Sequence, residues 1–165
     1  GEARSLCGSG LLDAVAALRR LELVEDSGFM EEDSLPLSGS AALLRRDIRA
    51  FQLAKSAICA GVDTLLYTAG VRASEVKTVW LAGGFGCKLS PESAGAVGML
   101  PLALAPSVRP VGTAAAAGAA LLLCSRRFET EAADITAAAR VVELAADPVF
   151  QERCVEDMLL AEVTE

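Results

Sequence analysis

Histidine is absent from all 165 residues, which removes imidazole general bases, Cys/His and Ser/His dyads and imidazole metal ligands together. The five cysteines, Cys7, Cys59, Cys87, Cys124 and Cys154, are odd in number, widely spaced and never in a C-x-x-C pair. That usage fits a reducing compartment and argues against a zinc or iron–sulfur site in this segment. Aromatic residues make up only 4% while 53% of residues are hydrophobic, so the core has to be built from Leu, Val and Ala, which suits closely packed helices. The longest apolar run, 114–124, is about half of the ~20 residues that a bilayer span needs, and reads as a core helix. Positive charge is in deficit: the formal net charge is −7, and without a basic footprint a nucleic-acid binder is excluded.

What is present is enough chain for one well-cored domain, expected to be a helix-rich α/β unit. Glu2, Arg4 and Asp13 interrupt any apolar run at the N-terminus, so no signal peptide is read there and the expected location is cytoplasmic, with no membrane partner. The chain begins at Gly1 without Met, as expected of a segment cut from a longer protein.

Leu11, Leu12, Val15 and Leu18 recur at helical spacing and predict an amphipathic helix over 10–21. Residues 25–40, rich in acid, Gly, Ser and Pro, read as a loop with a short strand near Phe29. A short strand over 41–44 precedes the strongest helical pattern, starting at Asp47, carrying Ile48, Phe51, Ala54, Ile58, Val62, Leu65 and Leu66, and ending at Gly70. A strand over 78–82, a glycine turn and a short helix over 91–97 follow. Residues 108–111 read as a strand and Gly112-Thr113 as the cap of an alanine-rich helix to Cys124. Beyond it come a helix over 129–139, a last strand over 141–144, and a final helix from Asp147-Pro148 to about Leu160.

The densest motif is Leu81-Ala82-Gly83-Gly84-Phe85-Gly86-Cys87-Lys88, on the turn from strand to helix. Leu89 stands where a dinucleotide fingerprint needs its third glycine, and Cys87-Lys88-Leu89 does not complete a P-loop. Two readings of the Gly-Gly pair remain open on spacing alone: a flat ligand against bare backbone, or an ordinary tight turn. Cys7-Gly8-Ser9-Gly10 opens a helix, where Ser9 reads as a cap and an anion is the alternative. Gln52, Lys55, Ser56 and Cys59 form a polar line beside the apolar stripe of the long helix. Lys55 there either snorkels to solvent or, with Gln52, lines a cleft that touches a purine or ribose. The residues after Thr113, Ala114-Ala115-Ala116-Ala117-Gly118-Ala119-Ala120, have so little bulk that another helix or lobe is expected close by. Cys87 reads as incidental rather than catalytic, with no base in sight.

Taken in order, these motifs resemble one family. They are Cys7-Gly8-Ser9-Gly10-Leu11-Leu12-Asp13-Ala14, Asp47-Ile48-Arg49 through Gly61, Ala82-Gly83-Gly84-Phe85-Gly86, Val111-Gly112-Thr113-Ala114-Ala115 and Val142-Glu143-Leu144-Ala145 through Gln151. The family is the ATP-dependent reductive activators of corrinoid proteins, whose large domain belongs to the superfamily of acetate and sugar kinases, Hsp70 and actin (ASKHA). The resemblance covers nearly the whole chain. It implies a helix-rich lobe of an actin/Hsp70-like, ribonuclease-H-like ATPase domain. It also implies that Gly83, Gly84, Phe85 and Gly86 meet adenosine of ATP or ADP, while Gln52, Lys55 and Ser56 form the opposite wall. The helix after Thr113 matches the second connecting helix at the hinge between lobes.

In such activators an upstream domain with a two-iron, two-sulfur (2Fe-2S) cluster supplies an electron to a cobalt(II) corrinoid, and nucleotide turnover with Mg assists the step to cobalt(I). Departures are clear: this chain has no cluster cysteine motif, lacks Asp-Ile-Gly-Thr phosphate loops, and has Thr113 where Asn is expected. The segment alone is therefore expected to have no catalytic residue or metal ligand and not to hydrolyse ATP. Its expected partners are an adenine nucleotide and a corrinoid protein or methyltransferase system. The alternatives are a noncatalytic module that docks a partner or forms a homodimer, or part of another kinase of the superfamily.

Overall fold

A computed structural model describes residues 4–163. Helix α1 (Gly8–Arg20) buries Leu12, Val15, Ala16 and Leu18. The cap is not Ser9, as expected, but Cys7, whose Sγ accepts from the Gly10 N–H at 3.4 Å.

Strands β1 (Ser34–Ser38) and β2 (Ala41–Leu44) form an antiparallel hairpin. The sequence reading missed β1. Its Ser and Pro suggest a loop, yet Leu35 and Leu37 alternate inward between exposed Ser34, Pro36 and Ser38, which is the two-residue period of a half-buried strand. Phe29 lies in a turn, its carbonyl accepting from the Glu25 N–H.

Helix α2 (Arg45–Ala69) begins where the Asp47 carboxylate accepts from the Leu44 N–H at 3.0 Å. It ends at Gly70, whose φ of 65° lets its own N–H and that of Val71 close on the last carbonyls. Its buried face keeps Ile48 and Phe51 of the expected apolar stripe and departs from it further along. Gln52, Lys55, Ser56, Cys59 and Thr64 are buried, while Ile58 and Leu65 are exposed.

Strands β3 (Val79–Leu81) and β4 (Val108–Pro110) pair in parallel, Trp80 opposite Arg109. Between them lie α3 (Gly83–Gly86), a single turn, and α4 (Pro91–Ala96), capped by Ser90 Oγ accepting from the Ser93 N–H at 3.1 Å. Helices α5 (Ala114–Cys124) and α6 (Arg126–Ala138) form a hairpin. Beside the alanine-rich α5, where a close neighbour is expected, the described residues place α6, and α5 buries no side chain. Nor does Thr113 cap it with its side chain.

The strand expected over 141–144 is also absent. A 3-10 turn at Leu144–Ala146 leads instead into α7 (Pro148–Glu156), capped by the Asp147 carboxylate accepting from Val149 and Phe150 N–H. α7 stops short of Leu160 for a physical reason. The Leu160 N–H, which a longer helix would turn back on Glu156 O, donates instead to Asp26 O at 2.7 Å, and the carbonyls beyond are taken by side chains: Met158 O by buried Gln52 Nε2 at 2.8 Å, Leu159 O by buried Lys55 Nζ, and Leu160 O by half-buried Arg19 Nε at 2.7 Å.

The core joins α1, the hairpin, the start of α2, α4 and residues 97–100, closed by fully buried Leu160. α7 packs along α2. The chain is thus mixed α/β and helix-rich, with two small sheets.

Candidate functional site

The glycine turn sits at the C-terminal end of β3, the usual place for a ligand on a parallel α/β sheet. Its first peptide is fixed by β4: Gly83 N–H donates to Gly112 O at 2.8 Å, and Val111 N–H to Leu81 O at 2.9 Å. Gly83 has φ 86°, a region that disfavours any side chain.

The three glycines differ in what surrounds them. A Cβ on Gly86 would stand 3.2 Å from Leu81 Cβ and 3.3 Å from its carbonyl carbon, so this glycine serves packing of the turn on its own strand. A Cβ on Gly83 or Gly84 would meet nothing within 4 Å. Bare backbone at those two positions faces a cavity of about 340 Å³ walled by Ile58, Leu81, Phe85, Leu89, Met99 and Leu100. No side chain in its lining is charged or hydrogen-bonding, so its polar groups are backbone N–H and C=O.

Phe85 joins this turn to the other glycine motif. A Cβ on Gly8 would lie 3.1 Å from the Phe85 ring, so the small residue at the start of α1 is what lets the ring approach. On the far side of that contact a second cavity of about 520 Å³ is lined by Arg4, Ser5, Cys7, Gly8 and Asp47. The Ser9 hydroxyl and the Gly10 N–H hold the Cys7 thiol pKa below its ordinary value. This contact was not read from the sequence, although Gly8 and Phe85 each carried a signal: a glycine at a helix start and an aromatic between two glycines.

The structure does not bring Gln52, Lys55 and Ser56 together with the glycine turn. Lys55 neither snorkels nor faces the cavity: it is fully buried, and Nζ donates to Gly98 O and Leu159 O. Burial lowers its pKa, offset in part by Cys59 and Asp157. Gln52 Nε2 donates to Ser27 O and Met158 O while Oε1 accepts from Arg49, and Ser56 Oγ donates to Leu53 O. The polar line of α2 therefore binds the segment 158–160. The residue that α2 presents to the glycine cavity is Ile58.

No helix among the described residues is long and apolar enough to cross a membrane. The glycine turn stands at the carboxyl end of a short parallel sheet set among helices. The family model described as the C-terminal domain of RACo, the ASKHA domain, matches residues 1–165, and the chain belongs to this family. The corrinoid activation enzyme RamQ of Eubacterium limosum is similar, 31% identical over 180 residues that cover 90% of this chain and 30% of that protein. A solved structure described as a reductive activator for corrinoid, iron–sulfur protein matches with a TM-score of 0.82 at 27% identity, over 95% of this chain and 28% of that one. The chain thus spans under a third of the length of these relatives.

Proposed function

We propose that this chain is the adenine-nucleotide-binding segment of a ferredoxin-type, ATP-dependent activator that reduces cobalt(II) corrinoid proteins to cobalt(I). One observation carries the nucleotide part. Gly83 and Gly84 leave an open place for a Cβ on both residues, beside an apolar cavity of about 340 Å³. Such a volume lies within the range of small-ligand pockets, and a purine ring is flat and apolar on its faces. The residues present therefore fit the base and ribose: Gly83 and Gly84 through backbone, with Phe85, Ile58, Leu89 and Met99 as walls.

When bound, ATP supplies the free energy of phosphoryl transfer. This chain's own residues bind and orient: β4 fixes Gly83 through Gly112, and Gly86 seats the turn against Leu81. Gln52, Lys55 and Ser56 act in this reading as positioning residues, holding α2 so that Ile58 faces the cavity. Direct contact between these three and the nucleotide, the expectation from the sequence, requires release of segment 158–160.

An iron–sulfur cluster does not fit this chain. It takes cysteines converging on one point, whereas the five cysteines are free and lie on separate elements or separate stretches of them. In this reading the electron comes from another part of the protein, and Mg and the phosphates are held there too. The names of the similar proteins support the corrinoid partner, and a cytoplasmic setting accords with the free thiols.

A second reading, docking or dimerisation, is favoured by the α5–α6 hairpin, which buries no side chain and exposes Leu123 and Ile135. Calorimetric titration with ATP, ADP and GTP separates the two. Adenine-selective binding, weakened at least about tenfold by Gly84→Val, supports the nucleotide reading. Equal or absent responses to all three nucleotides, with self-association by light scattering, favour the second.

A further inference from the structure

Beneath the α2–α7 seam lies a group of side chains that the nucleotide reading does not use. Cys59 and Asp63 stand four residues apart on α2, and Asp157 caps the end of α7. Their potential ligand atoms, one thiol sulfur and two carboxylate oxygens, all lie within 4.8 Å of one another. Cys59 is fully buried and Asp157 is 6% exposed. Asp157 Oδ2 is buried and has no partner at full hydrogen-bond geometry among the described residues, the Cys59 thiol being the side chain that the Asp157 carboxylate meets. A buried carboxylate oxygen in that condition is costly, and such a group calls for an ion, a proton or a water.

We propose that Cys59, Asp63 and Asp157 form a binding site for a borderline divalent transition ion such as Zn2+, with a fourth coordination position turned toward solvent. Zn2+ takes sulfur at about 2.3 Å and carboxylate oxygen at about 2.0–2.2 Å, so the observed spacing is close to what one ion spans. An entry path exists, because half-buried Asp63 also lines a cavity of about 360 Å³ with Tyr67, Arg72 and Arg153. Arg153 is engaged by Glu156 at 3.1 Å, which leaves the Asp63 carboxylate without a cation at hydrogen-bond distance.

The electrostatics agree. Burial, then the carboxylates of Asp157 and Asp63, push the Cys59 thiol up to about 12. Burial also raises the carboxyls of Asp63 and Asp157, outweighing the opposing pull of Arg153 on both and of Lys55 on Asp157. All three groups are thus held toward their neutral forms where a dication would reverse the balance. A dication on one thiolate and two carboxylates leaves one net negative charge, which the neighbouring Lys55 ammonium cancels. Binding releases the Cys59 proton to solvent. The bound ion would tie α7 to α2. The sequence expectation of no zinc site rested on the lack of paired cysteines; here two acids replace the missing thiols.

The test uses the whole chain, reduced and freed of metal, titrated with Co2+ and then Zn2+. We expect a sulfur-to-cobalt charge-transfer band that Zn2+ displaces, lost in Cys59→Ser and kept in Cys154→Ser. Asp157→Asn should weaken Co2+ binding at least about tenfold, as should Asp63→Asn, whose half-exposed position on α2 preserves folding. Absence of the band overturns the proposal and leaves a proton or a water to satisfy Asp157. A band that survives Cys59→Ser overturns it as well, assigning the ion to exposed thiols such as Cys7. So does an Asp63→Asn protein with native circular dichroism and unchanged Co2+ affinity.

Discussion

Replacing Gly98 with alanine tests how the C-terminal segment is held. Gly98 has φ 66°, and a non-glycine residue in that region costs about 1–2 kcal/mol. A Cβ there would also collide with the Ala161 carbonyl oxygen and come within 3.0 Å of Lys55 Nζ. Lys55 has no room to yield, since it is fully buried and anchored to Gly98 O and Leu159 O. Relief therefore comes by displacing segment 158–163, which loses the bonds from Gln52, Lys55 and Arg19 to its carbonyls. At about 1 kcal/mol net for the Gln52 bond and about 1.5–3 for each bond from the charged donors Lys55 and Arg19, added to the backbone strain, the whole cost is about 5–9 kcal/mol when all three bonds are lost.

Urea unfolding measures that loss. Amide hydrogen exchange at Leu160, whose N–H donates to Asp26 O at 2.7 Å, locates it. Gly84→Ala is the internal control: its φ is not positive and its Cβ would meet nothing within 4 Å, so stability should stay within about 0.5 kcal/mol. A Gly98→Ala protein that loses under about 1 kcal/mol and keeps native protection at Leu160 refutes the reasoning.

Two further outcomes follow from the same geometry. Gly86→Ala crowds the Cβ and carbonyl carbon of Leu81 at 3.2 and 3.3 Å and should cost about 1–3 kcal/mol in urea unfolding, a stability effect that Gly84→Ala lacks. Because burial lowers the Lys55 pKa in the folded state, the unfolded chain binds the extra proton between the two pKa values. Stability of the native chain relative to Lys55→Met should therefore rise as pH climbs toward the ordinary lysine range. Parallel unfolding curves over neutral to alkaline pH check the sign, and a falling difference contradicts it.

Much of the fold was legible in the sequence because local signals agreed with the tertiary outcome. Ser90-Pro91 starts α4, Asp147-Pro148 starts α7, and Gly70 ends α2, each through chemistry confined to one turn. The misses came from long-range contacts. β1 forms because Leu35 and Leu37 find a partner in β2, against a loop-like composition. Residues 141–144 are apolar enough for a strand but pair with none among the described residues.

The glycine turn was placed correctly between a strand and a helix, and its spacing could not separate a ligand from a tight turn. The structure divides that question by residue, giving Gly86 to packing and leaving Gly83 and Gly84 open. On α2 the polar line read as a cleft wall is the buried face. Nothing in its own sequence shows that carbonyls 158–160, a hundred residues away, claim Gln52 and Lys55.

The account's central claim is that an adenine nucleotide lies against Gly83 and Gly84. Its most direct test is amide chemical-shift mapping of the chain titrated with ATP, ADP and GTP, in the native form and as Gly84→Val. The expected result is adenine-selective shifts concentrated at 82–86, Ile58 and Met99, abolished by the substitution while the amides of 158–160 stay unmoved. Shifts led by Gln52, Lys55 and Ser56 together with 158–160 would transfer the site to the α2–α7 seam. No selective shift at millimolar nucleotide would contradict the claim for this chain.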